Sequence, residues 1–185
     1  MSNSYDDVMA RRSEIMRRAL SLDYDSFQRG DLAFDYDALM SSSGYDLDDV
    51  ARIQAETKVG HTPLYELHRL TEAVREIARP GKGARILLKD EAANASGSFK
   101  ARRASLSAHE AEVKGFAGMV TATSGNYGAA VASQAAQRGL ACIVIQEIYD
   151  SHHVGQPEIV EKSRACEAYG AEVIKLTVGP ELFHV

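Results

Sequence analysis

The chain has 185 residues, 45% hydrophobic and 25% charged, enough apolar material for one good core and a second small lobe. Its formal net charge of -5, with acids and bases interspersed, excludes a basic stripe for a nucleic-acid backbone and a polybasic membrane anchor. No apolar run approaches the roughly 20 residues of a membrane span, and "MSNSYDDVMARR" lacks the order of a secretory leader, so the expected compartment is the cytoplasm.

Helical spacing over 5–20 sets Val8, Ile15 and Leu20 among paired arginines, and residues 21–46 then lose periodicity, with 41–44 as the expected linker. A second helix runs through Leu47, Val50 and Ile53 to Lys58, with acids at its start where the helix dipole favours them. Residues 1–60 therefore read as a helical N-terminal arm. After "GHTP", the stretch "LYELHRLTEAVREIA" recurs at helical intervals through Leu67, Leu70, Val74 and Ile77 until Pro80 and Gly81 stop it.

From there strands and helices alternate. "ARILLKDE" reads as a strand, "KARRASLSAHEAEVKG" as a helix up to Gly115, and "GMVTATS" as a strand. The Ala-rich helix "NYGAAVASQAAQRG" stops at Gly139, and the strand "LACIVIQE" follows. The helix "PEIVEKSRACEAYG" starts on proline and ends on glycine before the strand "AEVIKLT". Continuous apolar strands separated by helices of about a dozen residues predict an α/β fold over 61–185, a parallel sheet with helices on both faces. "TVGPELFHV" opens what reads as a further helix and stops on apolar residues without a cap. The expectation is an incomplete fold whose remaining strands lie outside these residues.

Lys100 is the first candidate for chemistry. A lysine at a helix N-terminus meets unpaired N–H groups and the positive end of the macrodipole, which disfavours its protonated form. A neutral amine is a nucleophile able to condense with an aldehyde, and Gly97 and Ser98 supply close backbone approach and a capping hydroxyl. Spacing alone equally allows Lys100 to open a basic run with Arg102 and Arg103 on a solvated helix face, and gives that reading more weight.

The second candidate is "TATSGNYG", directly between a strand and a helix, where a parallel sheet holds anions on helix N–H groups. Its competing reading is a plain helix cap. Neither "GSFK" nor "SGNYG" has the glycine pattern of a dinucleotide or P-loop site. His152 and His153 are adjacent in a polar loop, His61, His68, His109 and His184 are scattered, and no metal site is expected. Cys142 and Cys166 read as buried structural thiols.

Taken in order, "HTPLYEL", "LKDEAANASGSFKARR", "TSGNYGAAVA" and "YGAEVI" resemble the N-terminal half of fold-type-II, tryptophan-synthase-β-like pyridoxal-phosphate enzymes, over most of 60–177. The resemblance implies pyridoxal 5'-phosphate as cofactor. It implies that Lys100 holds the cofactor and shuttles a substrate proton, that Asn126 hydrogen-bonds its phenolic oxygen and that Phe99 lies beside its ring. Thr123, Ser124, Gly125 and the backbone of Tyr127 match the loop that grips a substrate carboxylate. Ala95 stands where the family often has proline. The family's glycine-rich phosphate loop and the hydroxyl at the pyridine nitrogen have no counterpart among these residues.

A narrower resemblance rests on "VMARRSEIMRRAL", "DLAFDYDALM", "SFKARR" in place of the commoner "SFKxRG", and "VGQPEIVEKSRACEAYGAEVIKLTVGPELF". These phrases are similar to the β subunits of thiolases of ornithine degradation, which use coenzyme A to cleave an amino-acid substrate, 2-amino-4-oxopentanoate. That implies a small α subunit as partner and homo-oligomerisation. The competing expectations are a threonine-synthase-like or ammonia-lyase-like elimination or replacement with the same lysine, and a non-catalytic, partner-binding fragment.

Overall fold

The helical spacing of the first twenty residues is realised as two helices, α1 (Tyr5–Ala10) and α2 (Arg12–Leu20), because the backbone breaks at Arg11 (φ -104°, ψ 9°). Ser4 caps α1 by accepting from the Asp7 N–H. The computed structural model from which this is read describes residues 4–30, 32–149, 152 and 154–177.

The stretch without periodicity is nonetheless structured. A single 3-10 turn (Tyr24–Phe27) leads into β1 (Gln28–Arg29), which pairs antiparallel with β2 (Ala33–Phe34). Then α3 (Tyr36–Ser42) starts on Asp35, whose carboxylate accepts from the Ala38 N–H at 2.9 Å, and it runs into the expected linker. The Phe34 ring lies 4.6 Å from that of Tyr24 and 4.9 Å from that of Tyr36. These elements are too short for a helical or strand period to register, so a small aromatic cluster does the organising. The chain divides between Val50 and Ala51 into two compact units. That boundary falls inside α4 (Leu47–Glu56).

In the second unit the sequence predicts one helix from Leu64. The structure instead has β3 (Leu64–Glu66) and then α5 (His68–Ile77). The reason is non-local: β3 pairs antiparallel with β4 (Leu87–Lys89), Leu64 facing Lys89 and Glu66 facing Leu87. Leu67 N–H donates to the Ile86 carbonyl at 3.0 Å and Asp90 N–H to that of Pro63 at 2.9 Å, so this ribbon is pinned at both ends. The predicted "ARILLKDE" strand thus belongs to a two-stranded ribbon and not to the parallel sheet.

The parallel sheet has the order β5 (Gly118–Ala122), β6 (Ala141–Tyr149), β7 (Glu172–Thr177). α6 (Lys100–Val113) leads into β5, α7 (Asn126–Gln137) joins β5 to β6, and α8 (Pro157–Ala168) joins β6 to β7. Along β6 the buried residues are Cys142, Val144, Gln146 and Ile148, the period of two that puts them on one face. Cys142 and Val144 pack against Ala129, Ala130 and Val131 of α7 and Cys166 of α8. Small residues let α7 come close: a Cβ on Gly128 would meet Val144 Cγ1 at 3.0 Å, Thr123 Cγ2 at 3.2 Å and Cys166 Sγ at 3.3 Å.

Just after α7, Arg138 donates to Glu56 of α4 at 2.9 Å and to Glu112 of α6, tying three helices. Both cysteines are free and buried, as expected. Burial pushes the Cys166 thiol up to about 11 and also raises that of Cys142. Among the described residues no helix is long and apolar enough to cross a membrane, and no group of His, Cys, Asp and Glu could hold a metal. The helix expected after Gly179 and Pro180 lies outside the described residues, as do His153 and His184.

Candidate active site

The turn after β5 is built by its own side chains. Thr123 N–H donates to the Ile145 carbonyl at 2.9 Å, extending the β5–β6 ladder by one residue. The Thr123 hydroxyl then accepts from the Gly125 N–H at 3.1 Å, folding Ser124 and Gly125 back over the strand end. Gly125 is extended (φ -106°, ψ -167°) and Asn126 opens α7 with its side chain exposed. Thr123, Ser124, Gly125, Asn126 and Tyr127 therefore form one strand-to-helix turn at the carboxyl end of the sheet. Helix N–H groups are offered to an anion there.

Lys100 is the first residue of α6 and is half-buried. Its Nζ lies 4.4 Å from the ring centroid of Phe99, whose ring is exposed, and among the described residues it has no carboxylate partner. Gly97 takes the left-handed turn before it (φ 73°), a conformation that favours glycine. The hydroxyls of Ser96 and Ser98 in the same loop are buried without a hydrogen-bond partner in the structure. Unmet buried donors of this kind suit a ligand with anionic oxygens.

The two turns adjoin. α6 packs along α7, and the Arg103 guanidinium, in the first turn of α6, sits 4.8 Å from the centroid of the Tyr127 ring in the first turn of α7. Lys100 and Asn126 thus open neighbouring helices at the same end, with Phe99 beside the lysine. An amine, a carboxamide, an exposed aromatic face and nearby hydroxyls form a donor set that fits an aromatic aldehyde carrying anionic groups.

Sequence reasoning missed the network behind this face. Arg102 donates two hydrogen bonds to Glu91, from Nε at 2.7 Å and Nη2 at 2.8 Å, and a third to Gln54 at 3.2 Å. Thr62 donates to Glu91 at 2.7 Å and Asn94 Nδ2 to it at 3.0 Å, while the Lys89 ammonium donates to the Thr62 carbonyl. These donors, the Arg102 guanidinium first, hold the Glu91 carboxyl at about 2, well below its ordinary 4.5.

Asn94 Oδ1 also accepts from the Gly60 N–H at 3.0 Å. Gly60 belongs to a turn in which Lys58 (φ 55°), Gly60 (φ 88°) and His61 (φ 50°) are all left-handed. Farther along the loop the Tyr169 hydroxyl donates to the Ala95 carbonyl at 2.9 Å. Of the two arginines of the "KARR" run, Arg102 is half-buried and tied to Glu91, whereas Arg103 is exposed and reaches the Tyr127 ring. The signal that could have found the network is the shared presence of Glu91, Asn94 and Arg102 in one quoted motif. Their partners Gln54 and Thr62 lie too far away for local spacing to reveal.

The family described as pyridoxal-phosphate dependent enzyme matches residues 55–182. The chain is 63% identical over 182 residues to a protein named 2-amino-4-ketopentanoate thiolase beta subunit from an unknown prokaryotic organism, and 58% identical over 181 residues to one of the same name from Acetoanaerobium sticklandii. Each match covers 98% of this chain and 39% of the relative, so the chain spans about two-fifths of their length. A probable cysteine synthase of Bacillus subtilis is 36% identical over 129 residues, covering 66% of this chain and 35% of that protein. Among solved structures, maize serine racemase is similar with a TM-score of 0.54 and 27% identity, over 74% of this chain and 37% of that one. A pyridoxal 5'-phosphate-dependent aspartate racemase gives 0.54 and 26%, over 74% and 39%.

Proposed function

Because the chain belongs to the family of pyridoxal-phosphate dependent enzymes, we propose that it is the cofactor-holding part of the β subunit of a cytoplasmic thiolase. With a small α subunit, that enzyme cleaves 2-amino-4-oxopentanoate with coenzyme A to acetyl-CoA and alanine. The observation that carries this reading is the 63% identity held across 98% of the chain, against 36% and 30% for relatives named cysteine synthase and threonine synthase. Residues 1–60 are then the arm and 61–185 the cofactor-binding region.

The donor set at the two helix openings fits pyridoxal phosphate. In this reading the Lys100 amine holds the cofactor aldehyde carbon and later takes and returns the proton at the substrate's α-carbon. The Asn126 carboxamide donates to the cofactor's phenolic oxygen, and Phe99 packs against the ring. Thr123, Ser124 and Gly125, with the backbone of Tyr127, orient the substrate carboxylate, which the N-terminal end of α7 favours electrostatically. When bound, the cofactor supplies an electron sink for negative charge that develops next to the substrate nitrogen. The overall exchange balances: the thiol sulfur joins C4, the C3–C4 bond breaks, and the thiol proton ends on the carbon that becomes alanine's methyl group.

A second reading is favoured by the relatives named cysteine synthase and threonine synthase: elimination or replacement with the same lysine. The deciding assay follows products from the whole protein that contains this chain, with and without coenzyme A and the α subunit. Acetyl-CoA and alanine in equal amounts support the thiolase. Ammonia or phosphate released without thiol overturns it. Separately, Lys100→Ala is expected to abolish the visible absorbance of protein-bound cofactor, and unchanged absorbance sinks the role given to that lysine.

A further inference from the structure

On the reading of Lys100 as the reactive amine, we propose that the Glu91–Arg102 pair, with Thr62, Asn94 and Tyr169, is a positioning device that fixes where the Lys100 amine points. The pair closes a loop that begins at Glu91 and ends two residues beyond Lys100. Both ends are pinned: Glu91 by Arg102, Thr62 and Asn94, and the start of α6 by the Arg102 fork. Inside the loop Asn94 reaches Gly60, and the Ala95 carbonyl is held by Tyr169.

Helix geometry gives this clamp its direction. Residues two apart on an α-helix point about 200° apart, so Arg102 grips the first turn of α6 from the side opposite Lys100. Arg103, one residue on, grips the same turn through the Tyr127 ring. Arg103 is three residues from Lys100 and so lies on the same face of the helix, where its contact with the Tyr127 ring flanks the amine. Glu91 neutralises the Arg102 guanidinium, so this pair adds no net positive charge behind the amine. The fork matters for this purpose: a planar guanidinium makes two bonds of fixed direction, which an ammonium cannot reproduce.

The test uses Arg102→Lys, Glu91→Gln and Tyr169→Phe in the whole protein. The readout is acylation of Lys100 by an amine-selective reagent in cofactor-free protein at fixed pH, followed by peptide mass spectrometry with Lys162 on α8 as internal reference. Freed of its clamp, Lys100 is expected to label about tenfold faster relative to Lys162 in Arg102→Lys and Glu91→Gln, and less so in Tyr169→Phe. The visible absorbance of added pyridoxal phosphate should fall in the same order. An unchanged labelling ratio in Arg102→Lys and Tyr169→Phe proteins with wild-type circular dichroism overturns the proposal, and these two milder variants decide it if Glu91→Gln does not fold. Should Lys100→Ala bind the cofactor with unchanged absorbance, the reading of Lys100 fails on its own, while the labelling ratio still judges the clamp.

Discussion

Acid should dismantle the Glu91–Arg102 pair in a pH window set by the carboxylate itself. Glu91 titrates at about 2 in the folded chain against 4.5 for an ordinary glutamate, chiefly because Arg102 donates to it. A lowered folded value means that the stabilisation is complete above about pH 4.5 and is lost as the pH falls toward 2. The difference sets a ceiling of about 3 kcal/mol. Side-chain exposures of 35% for Arg102 and 22% for Glu91 leave the pair partly screened, which lowers the expectation to about 1–2 kcal/mol. Glu91→Gln removes the titrating charge while Arg102 keeps its bond to Gln54. Urea unfolding of both proteins between about pH 7 and pH 3 should show a stability gap of that size near neutrality that narrows on acidification. A gap of the same size at about pH 3 as at pH 7 refutes the reasoning, because below about pH 4.5 the glutamate of the unfolded chain takes up a proton and the advantage of the folded carboxylate must shrink.

Gly128→Ala should lose about 1 kcal/mol in urea unfolding: overpacking against Val144, Thr123 and Cys166 outweighs the helix propensity of alanine. Val144→Ala in the same chain should recover part of that loss, and a Gly128→Ala protein more stable than wild type contradicts the close packing. Cys166, held at about 11 by burial, should resist disulfide-exchange reagents near about pH 8 in the native chain and react only on unfolding. Reaction at the rate of a free thiol counts against its burial in the α7–α8 core.

The parts of the fold legible in the sequence are those whose cause is local. The proline start of α8 and the glycine stops after α7 and α8 fall where the spacing put them, and Gly139 (φ 67°) and Gly170 (φ 85°) take the left-handed turns that such stops need. β6 extends two residues past the predicted strand, to Tyr149. β3 was illegible because helical spacing in "LYEL" is overridden by a partner strand about 20 residues downstream. The same limit applies at the site. The two strand-to-helix turns and their residues could be marked from motifs, whereas the role of Arg102 could not. Its meaning depends on Glu91 and Gln54, which are 11 and 48 residues away.

The hydrogen bond from Tyr169 to Ala95 also sets an order of events during synthesis. Its partners are 74 residues apart, so the loop ahead of Lys100 leaves the ribosome long before its outer tether exists. At about 5–20 residues per second the delay is roughly 4–15 s, far longer than the loop needs to sample its conformations. Over that interval the segment depends on Asn94 and Glu91 alone, both of whose partners, Gly60, Thr62 and Arg102, have already been made or follow within a dozen residues. A nascent chain stalled before Tyr169 should therefore expose the loop to protease, and one stalled well beyond it should not.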